Sequence, residues 1–221
     1  MRKSFVATMA AAAVFIAGSA SAAALADFQL NGTFANSGVG AATMTSNGGV
    51  LGATGLTFGF NEGPTISGLG TLTSYSLITQ FRFDDVSGYR RIVDFSNRAS
   101  DNGLYTLDGD LDFFPVAFGT PGVIGANELV TVRLTRATNN VVTGYINGAS
   151  QWSFVDTAGE AIIHDHVNLF LDDFFFANEA SSGFVNYATI SDSVPEPAAW
   201  GLMILGFAAS GVALRRRRVV A

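Results

Sequence analysis

From Tyr75 to Phe83 the chain alternates: Tyr75, Leu77, Phe81 and Phe83 fall on one face, and Ser76, Gln80 and Arg82 on the other. Successive side chains of a strand point to opposite faces, so this pattern specifies a strand with one face on a core. Val130, Val132 and Leu134 repeat it against Thr131, Arg133 and Thr135. Strands buried on one face only belong to antiparallel sheets. No sustained helical period competes between Asp27 and Asp192. Asp108-Gly109 separates 104–107 from 111–114, and Asn147-Gly148 separates 141–146 from 151–154. Both dipeptides accept the positive φ of a two-residue hairpin turn, and Asn139-Asn140 offers a third reversal. Further strands are predicted at 91–95, 167–171 and 184–191. Residues 28–70 hold 11 of the 25 glycines. Even so, Phe28, Leu30, Phe34, Leu51, Leu56, Phe58, Phe60 and Ile66 recur too regularly for a spacer. That stretch is predicted to supply edge strands and long loops of the same body. The expectation is an all-β fold, an antiparallel two-sheet sandwich.

Charge narrows the partners. Residues 27–192 carry 17 of the 18 acids and only six basic residues, all arginine, for a net charge of −11. Such a body repels phosphate backbones, so no nucleic acid is expected as a partner, while divalent cations and neutral sugars are compatible. There is no cysteine, which removes disulfides and thiolate zinc sites. The fold therefore rests on its core, and about 160 residues suffice to bury one.

The two ends differ from the body. Arg2 and Lys3 precede an apolar run and then small residues, the order of a secretory signal peptide assigned to residues 1–26. Cleavage after Ala22 (Ala20-Ser21-Ala22) or after Ala26 (Ala24-Leu25-Ala26) fits the small-residue rule. At 193–221 the chain reads Pro195-Glu196-Pro197, Trp200, an uncharged stretch over 198–214, then Arg215, Arg216, Arg217 and Arg218. The apolar stretch has about the minimum length to span a bilayer as a helix. The arginines belong on its cytoplasmic side, which leaves the body outside.

These tail residues, with Met203, resemble the PEP-CTERM sorting signal of exported bacterial proteins. The resemblance implies recognition and cutting near Pro195-Glu196-Pro197 by an exosortase-type membrane peptidase, a membrane-anchored precursor, and delivery to the cell surface or extracellular matrix. Such proteins are typical of Gram-negative bacteria that make exopolysaccharide. A plain C-terminal anchor is the simpler alternative. In the body, residues 81–95, Asp101 to Tyr105, 130–148, Leu169 to Asp173 and Glu179 to Val185 are similar in order to the laminin-G-like, concanavalin A-type jelly roll. That resemblance implies two stacked sheets, one concave, for residues 27–192. The fold hosts lectins, adhesion modules and polysaccharide-cleaving enzymes alike.

Sugar hydrolysis needs two carboxylates facing each other across a cleft. Glu62, Glu128, Glu160 and Glu179 have no acidic partner two residues away, so no catalytic residue is assigned and a non-enzymatic protein is expected. Asp108, Asp110 and Asp112 alternate but read as a solvated hairpin. His164 and His166 would share a face of a strand, yet with no third ligand they read as a solvated loop. The acids Asp84, Asp85, Asp101, Asp172, Asp173 and Glu179 end predicted strands, where loops gather at a sandwich rim. Clustered oxygen donors suit calcium, a hard cation taking six to eight of them, and the laminin-G-like resemblance implies such a rim site. The alternative is that these acids pair with Arg82, Arg90, Arg91 and Arg98. Tyr89, Tyr105, Tyr145, Trp152 and Tyr187 are either stacking surfaces for sugar rings or core residues. Phe174-Phe175-Phe176 cannot bury every ring on one face. The expected role is adhesion or carbohydrate binding in an exopolysaccharide matrix; the alternatives are a glycan-cleaving enzyme and a structural protein without a dedicated ligand.

Overall fold

A computed structural model of the chain describes residues 24–174 and 178–192. Residues 1–23 of the signal peptide expected at 1–26, the whole segment 193–221 and the rings of Phe175 and Phe176 lie outside the described residues. Sixteen strands follow in chain order: β1 (Ala24–Phe28), β2 (Thr43–Ser46), β3 (Val50–Leu51), β4 (Leu56–Phe58), β5 (Pro64–Ser67), β6 (Thr71–Leu72), β7 (Tyr75–Phe83), β8 (Tyr89–Asp94), β9 (Gly103–Leu107), β10 (Asp112–Phe114), β11 (Val130–Arg136), β12 (Val141–Ile146), β13 (Ala149–Val155), β14 (Ile163–His164), β15 (Val167–Leu169) and β16 (Gly183–Ser191). None of the described residues is helical. The all-β antiparallel sandwich expected from the alternation is the observed architecture.

One sheet runs β13-β12-β11-β7-β16-β4-β3, with β1 also paired to β16; a second runs β10-β9-β8-β15-β5-β2; β14 and β6 form a small third sheet. Every pairing is antiparallel. The central strand β7 buries Tyr75, Leu77, Phe81 and Phe83, the face read from its alternation, and half-exposes Gln80 and Arg82 on the other. Ile92, Val93, Leu104, Phe113, Val167 and Leu169 supply the other sheet's share of the core. At its centre the Phe58 and Phe170 rings stack 4.6 Å apart, with Phe81 and Phe83 packed at 5.1 and 5.6 Å from Phe170.

Both predicted hairpin turns form. Asp108 and Gly109 have φ of 50° and 86°, and Asn147 and Gly148 have 48° and 84°, the paired positive values of a type I′ turn. The flanking registers, Tyr105 opposite Asp112 and Ile146 opposite Ala149, follow from those turns. The folded body begins earlier than the expected Asp27, because Ala24 already pairs with Ser191 and Ala26 is buried. His164 and His166 do not share a strand face: they oppose each other across a turn at Asp165, whose φ is 74°.

A bulge in β8 positions the polar centre of the molecule. The register with β9 shifts between Arg91 and Val93. One extra residue resets the in–out alternation. Ile92 and Val93 thus both enter the core, and Arg91 and Asp94 both turn to the opposite face of the six-stranded sheet. Across that face Asn168 Nδ2 donates to Asp94 at 2.8 Å and Thr65 Oγ1 donates to Asn168 Oδ1 at 2.7 Å, extending a polar row over β15 and β5.

Candidate functional site

Arg91 is wholly buried, and the chain surrounds it with acids drawn from three segments. Its guanidinium lies 3.4 Å from Asp94, 3.4 Å from Asp101, 3.6 Å from Asp172 and 3.1 Å from Asp173. The carbonyls of Ser100 and Asn102 accept from Nη1 at 3.3 and 3.4 Å, and the group sits 4.5 Å above the Tyr105 ring centroid. A buried cation persists when it is paired and hydrogen-bonded, and arginine's planar fork of donors suits this task. Backbone amides hold the acids in place: Asp172 accepts from the amides of Asp173 and Glu179 at 2.9 and 2.7 Å. Asp94 accepts from the Arg98 amide at 2.9 Å.

The carboxylates outnumber the cation. One oxygen each from Asp101, Asp173 and Glu179 lies within 4.8 Å of the others. Burial first, and then the charges of Asp101 and Asp172, push the Glu179 carboxyl up to about 7. Near neutral pH this corner has room for a proton or for a second cation. All-oxygen donors match the hard-cation chemistry of calcium, so Asp101, Asp173 and Glu179 are the residues that would hold one. Two of those three also face Arg91, which already neutralises part of their charge.

Of the six acids singled out in the sequence, the fold brings Asp101, Asp172, Asp173 and Glu179 together and leaves Asp84 and Asp85 with other partners. Asp84 pairs with Arg82 at 2.7 Å and accepts from Ser182 Oγ at 2.7 Å. Asp85 binds Arg90 at 2.5 Å and accepts from the Ser87 hydroxyl and amide, which lowers its carboxyl to about 2. Two arginines adjacent in sequence thus serve opposite ends: Arg90 a surface pair, Arg91 the buried centre.

Asp94, fully buried and central, was missed by the sequence reading. Its local signal was its place three residues after Arg91 on a strand, where only a bulge brings the two together. The aspartates of the 108–112 hairpin were expected in solvent; Asp108 is exposed, and at the other two the structure differs. Asp110 and Asp112 are buried beneath the segment that follows β10, whose Gly119 amide donates to Asp112 Oδ1 at 3.0 Å. Asp112 Oδ2 is buried without a hydrogen-bond partner among the described residues. Burial, and next the charge of Asp110, raise the Asp112 carboxyl to about 6.

Near these acidic groups lies an aromatic shelf. Tyr89 meets Tyr105 and Phe114 edge to face, both at 5.7 Å between centroids, and Tyr105 meets Phe114 at 6.4 Å. Tyr89 and Phe114 are half-exposed, Tyr105 is buried. Burial raises the Tyr89 phenol above its ordinary range, with added repulsion from Asp112, Glu179, Asp110 and Asp101. Trp152 belongs to the core, and Tyr145 lies under Arg133 at 3.9 Å. At the rim Phe174 is 70% exposed, with the Arg98 guanidinium 4.3 Å from its ring.

The model of the PEP-CTERM protein-sorting motif matches residues 193–218. The chain carries that sorting motif. It is thereby an exported precursor, membrane-anchored, addressed to the cell surface and processed by an exosortase. No curated protein matches the chain. Several solved structures share the fold. Domain 4 of AbnA, a GH43 extracellular arabinanase from Geobacillus stearothermophilus solved with arabinotriose, is 16% identical with a TM-score of 0.57, covering 80% of this chain and 96% of that one. A Trypanosoma rangeli sialidase is 13% identical with a TM-score of 0.61, covering 80% of this chain and 32% of the sialidase. The botulinum neurotoxin serotype D binding domain is 11% identical with a TM-score of 0.55, covering 77% of this chain and 48% of that one. The chain therefore spans about half of the toxin domain and about a third of the sialidase. At these identities the likeness is one of fold.

Proposed function

We propose that the body is a non-catalytic carbohydrate-binding module through which a sorted surface protein adheres within an exopolysaccharide matrix. The observation that carries this reading is the shelf of the half-exposed Tyr89 and Phe114 rings packed on the buried Tyr105, with carboxylates near the Tyr89 phenol. A sugar offers an apolar C–H face to stack on aromatic rings and hydroxyls that donate to carboxylate oxygens. The arabinotriose complex of the similar arabinanase domain is in keeping with it. The laminin-G-like assignment belongs to the same proposal. So does calcium, held by Asp101, Asp173 and Glu179, where the ion would displace the Glu179 proton and bind more tightly as pH rises past about 7.

The test is a glycan array probed with the secreted protein in calcium and in chelator, beside Tyr89→Ala. Binding that Tyr89→Ala abolishes, while its melting midpoint is kept, is the expected result. Binding unchanged by Tyr89→Ala rejects the shelf. Binding unaffected by chelator, with no calcium retained on dialysis, rejects the ion.

A second reading, a glycan-cleaving enzyme, is favoured by one observation. Glu179 and Asp112 both hold protons closer to neutral pH than an ordinary carboxyl, as a general acid must. Release of reducing ends from an array-positive glycan, lost in Glu179→Gln or Asp112→Asn, would replace the binding-module reading with this one.

A further inference from the structure

Two sites near the amino terminus satisfy the small-residue rule for removal of an export leader, and they differ by four residues. The fold distinguishes them. β1 fills the edge of β16 that β4 leaves open: β4 pairs with Gly183 to Val185, and β1 pairs with Ala188 to Ser191. Its other side is held as firmly. The Val39 amide donates to the Ala24 carbonyl at 2.8 Å and the Gly40 amide to the Leu25 carbonyl at 3.0 Å, while Asn36 Nδ2 reaches the Leu25 carbonyl at 3.2 Å. The 36–40 segment is shaped around these residues. A Cβ on Gly38 would stand 2.6 Å from the Ala24 oxygen, and one on Gly40 would stand 2.6 Å from the Leu25 oxygen. Ala26 and Phe28 lie fully in the core.

The geometry points to leader cleavage after Ala22, so that residues 24–26 stay in the mature protein as the first half of β1. This rests on the export-leader reading of residues 1–26. The step is hydrolysis of the Ala22–Ala23 amide, with water supplying the carboxylate oxygen of Ala22 and the protons of the new Ala23 ammonium. The alternative cut after Ala26 would remove three of the five residues of β1. It would take away the acceptors for the Val39 and Gly40 amides and one of the three acceptors of Asn36 Nδ2, and bare the edge of β16 two residues before the sorting motif starts. An open strand edge and orphaned amides are features that folded proteins avoid. A cut after Ala22 leaves one residue ahead of β1 and removes none of these bonds.

The experiment is expression of the full chain in a Gram-negative host, recovery of the exported protein, and mass spectrometry of its amino-terminal peptide. The expected peptide starts Ala23-Ala24-Leu25. A start at Asp27 overturns the cleavage assignment while leaving the leader intact as a leader. An uncut start at Met1 on protein found outside the cytoplasm overturns the leader reading, and the cleavage with it.

Discussion

Replacing Arg91 with methionine isolates the polar centre. Methionine keeps a chain of similar length against Tyr105 but removes the guanidinium that faces Asp94, Asp172 and Asp173, whose side chains have no exposure. Deleting one partner of a buried ion pair costs about 3–5 kcal/mol, because the stranded charges keep their desolvation penalty. Here three buried carboxylates lose the same neutralising cation at once, so the upper half of that range is expected. A domain of this size is stable by only about 5–15 kcal/mol. With a urea dependence near ~2 kcal/mol per molar, Arg91→Met should lower the unfolding midpoint by about 2 M at pH 7, followed by Trp152 fluorescence. The control is Arg90→Met. Its partner Asp85 has a side chain 55% exposed, and an exposed pair is worth at most about 1 kcal/mol. A loss below about 1 kcal/mol in Arg91→Met, or equal losses in the two variants, refutes the reasoning that Arg91 neutralises a buried acidic centre.

Three further outcomes follow from the same structure. Asp112 titrates near 6 when folded against 3.8 as a free side chain, so the native state holds a proton that the unfolded chain has released between those values; stability therefore falls as pH rises from about 4 to 6. Asp112→Asn should match the wild type near pH 4 and exceed it at pH 8 by up to about 3 kcal/mol, and a difference between the two melting curves that does not change with pH would contradict this. Gly144→Ala sets a Cβ 2.4 Å from the Trp152 ring across β12 and β13, an overpacking cost of about 1–3 kcal/mol, checked by thermal melting against Gly52→Ala, where the added Cβ makes only an ordinary 3.5 Å contact with the Gly55 oxygen. Phe170→Ala empties the middle of the phenylalanine cluster and should cost about 3–5 kcal/mol in denaturant titration.

Much of the fold was legible because its signals are local. The face of β7 follows from a period of two, and the hairpins at 108–109 and 147–148 from residues that tolerate positive φ. The acids at the ends of predicted strands were legible as candidates, but not their partners. Asp84 and Asp172 each begin an acidic pair after a strand; one meets Arg82 in solvent, the other faces Arg91 in the interior. Asp112 read as part of a solvated hairpin because nothing nearby in sequence announces that the Gly119 segment folds over it.

The sequence by itself determined the strands, the turns, the core-facing side of β7 and β11, and the sorting address at 193–218, since each depends on residues within a few positions of one another. The tertiary structure decided which charges are buried and with whom. Arg91 meets Asp173 across 82 positions of chain, and Tyr89 comes within the field of acids from β10 and from the segment before β16. A bulge in β8 turned Arg91 and Asp94 to the same face. Electrostatic energy depends on distance in space and on exclusion of water, and both are set only when strand register, bulges and loop closure bring distant segments together.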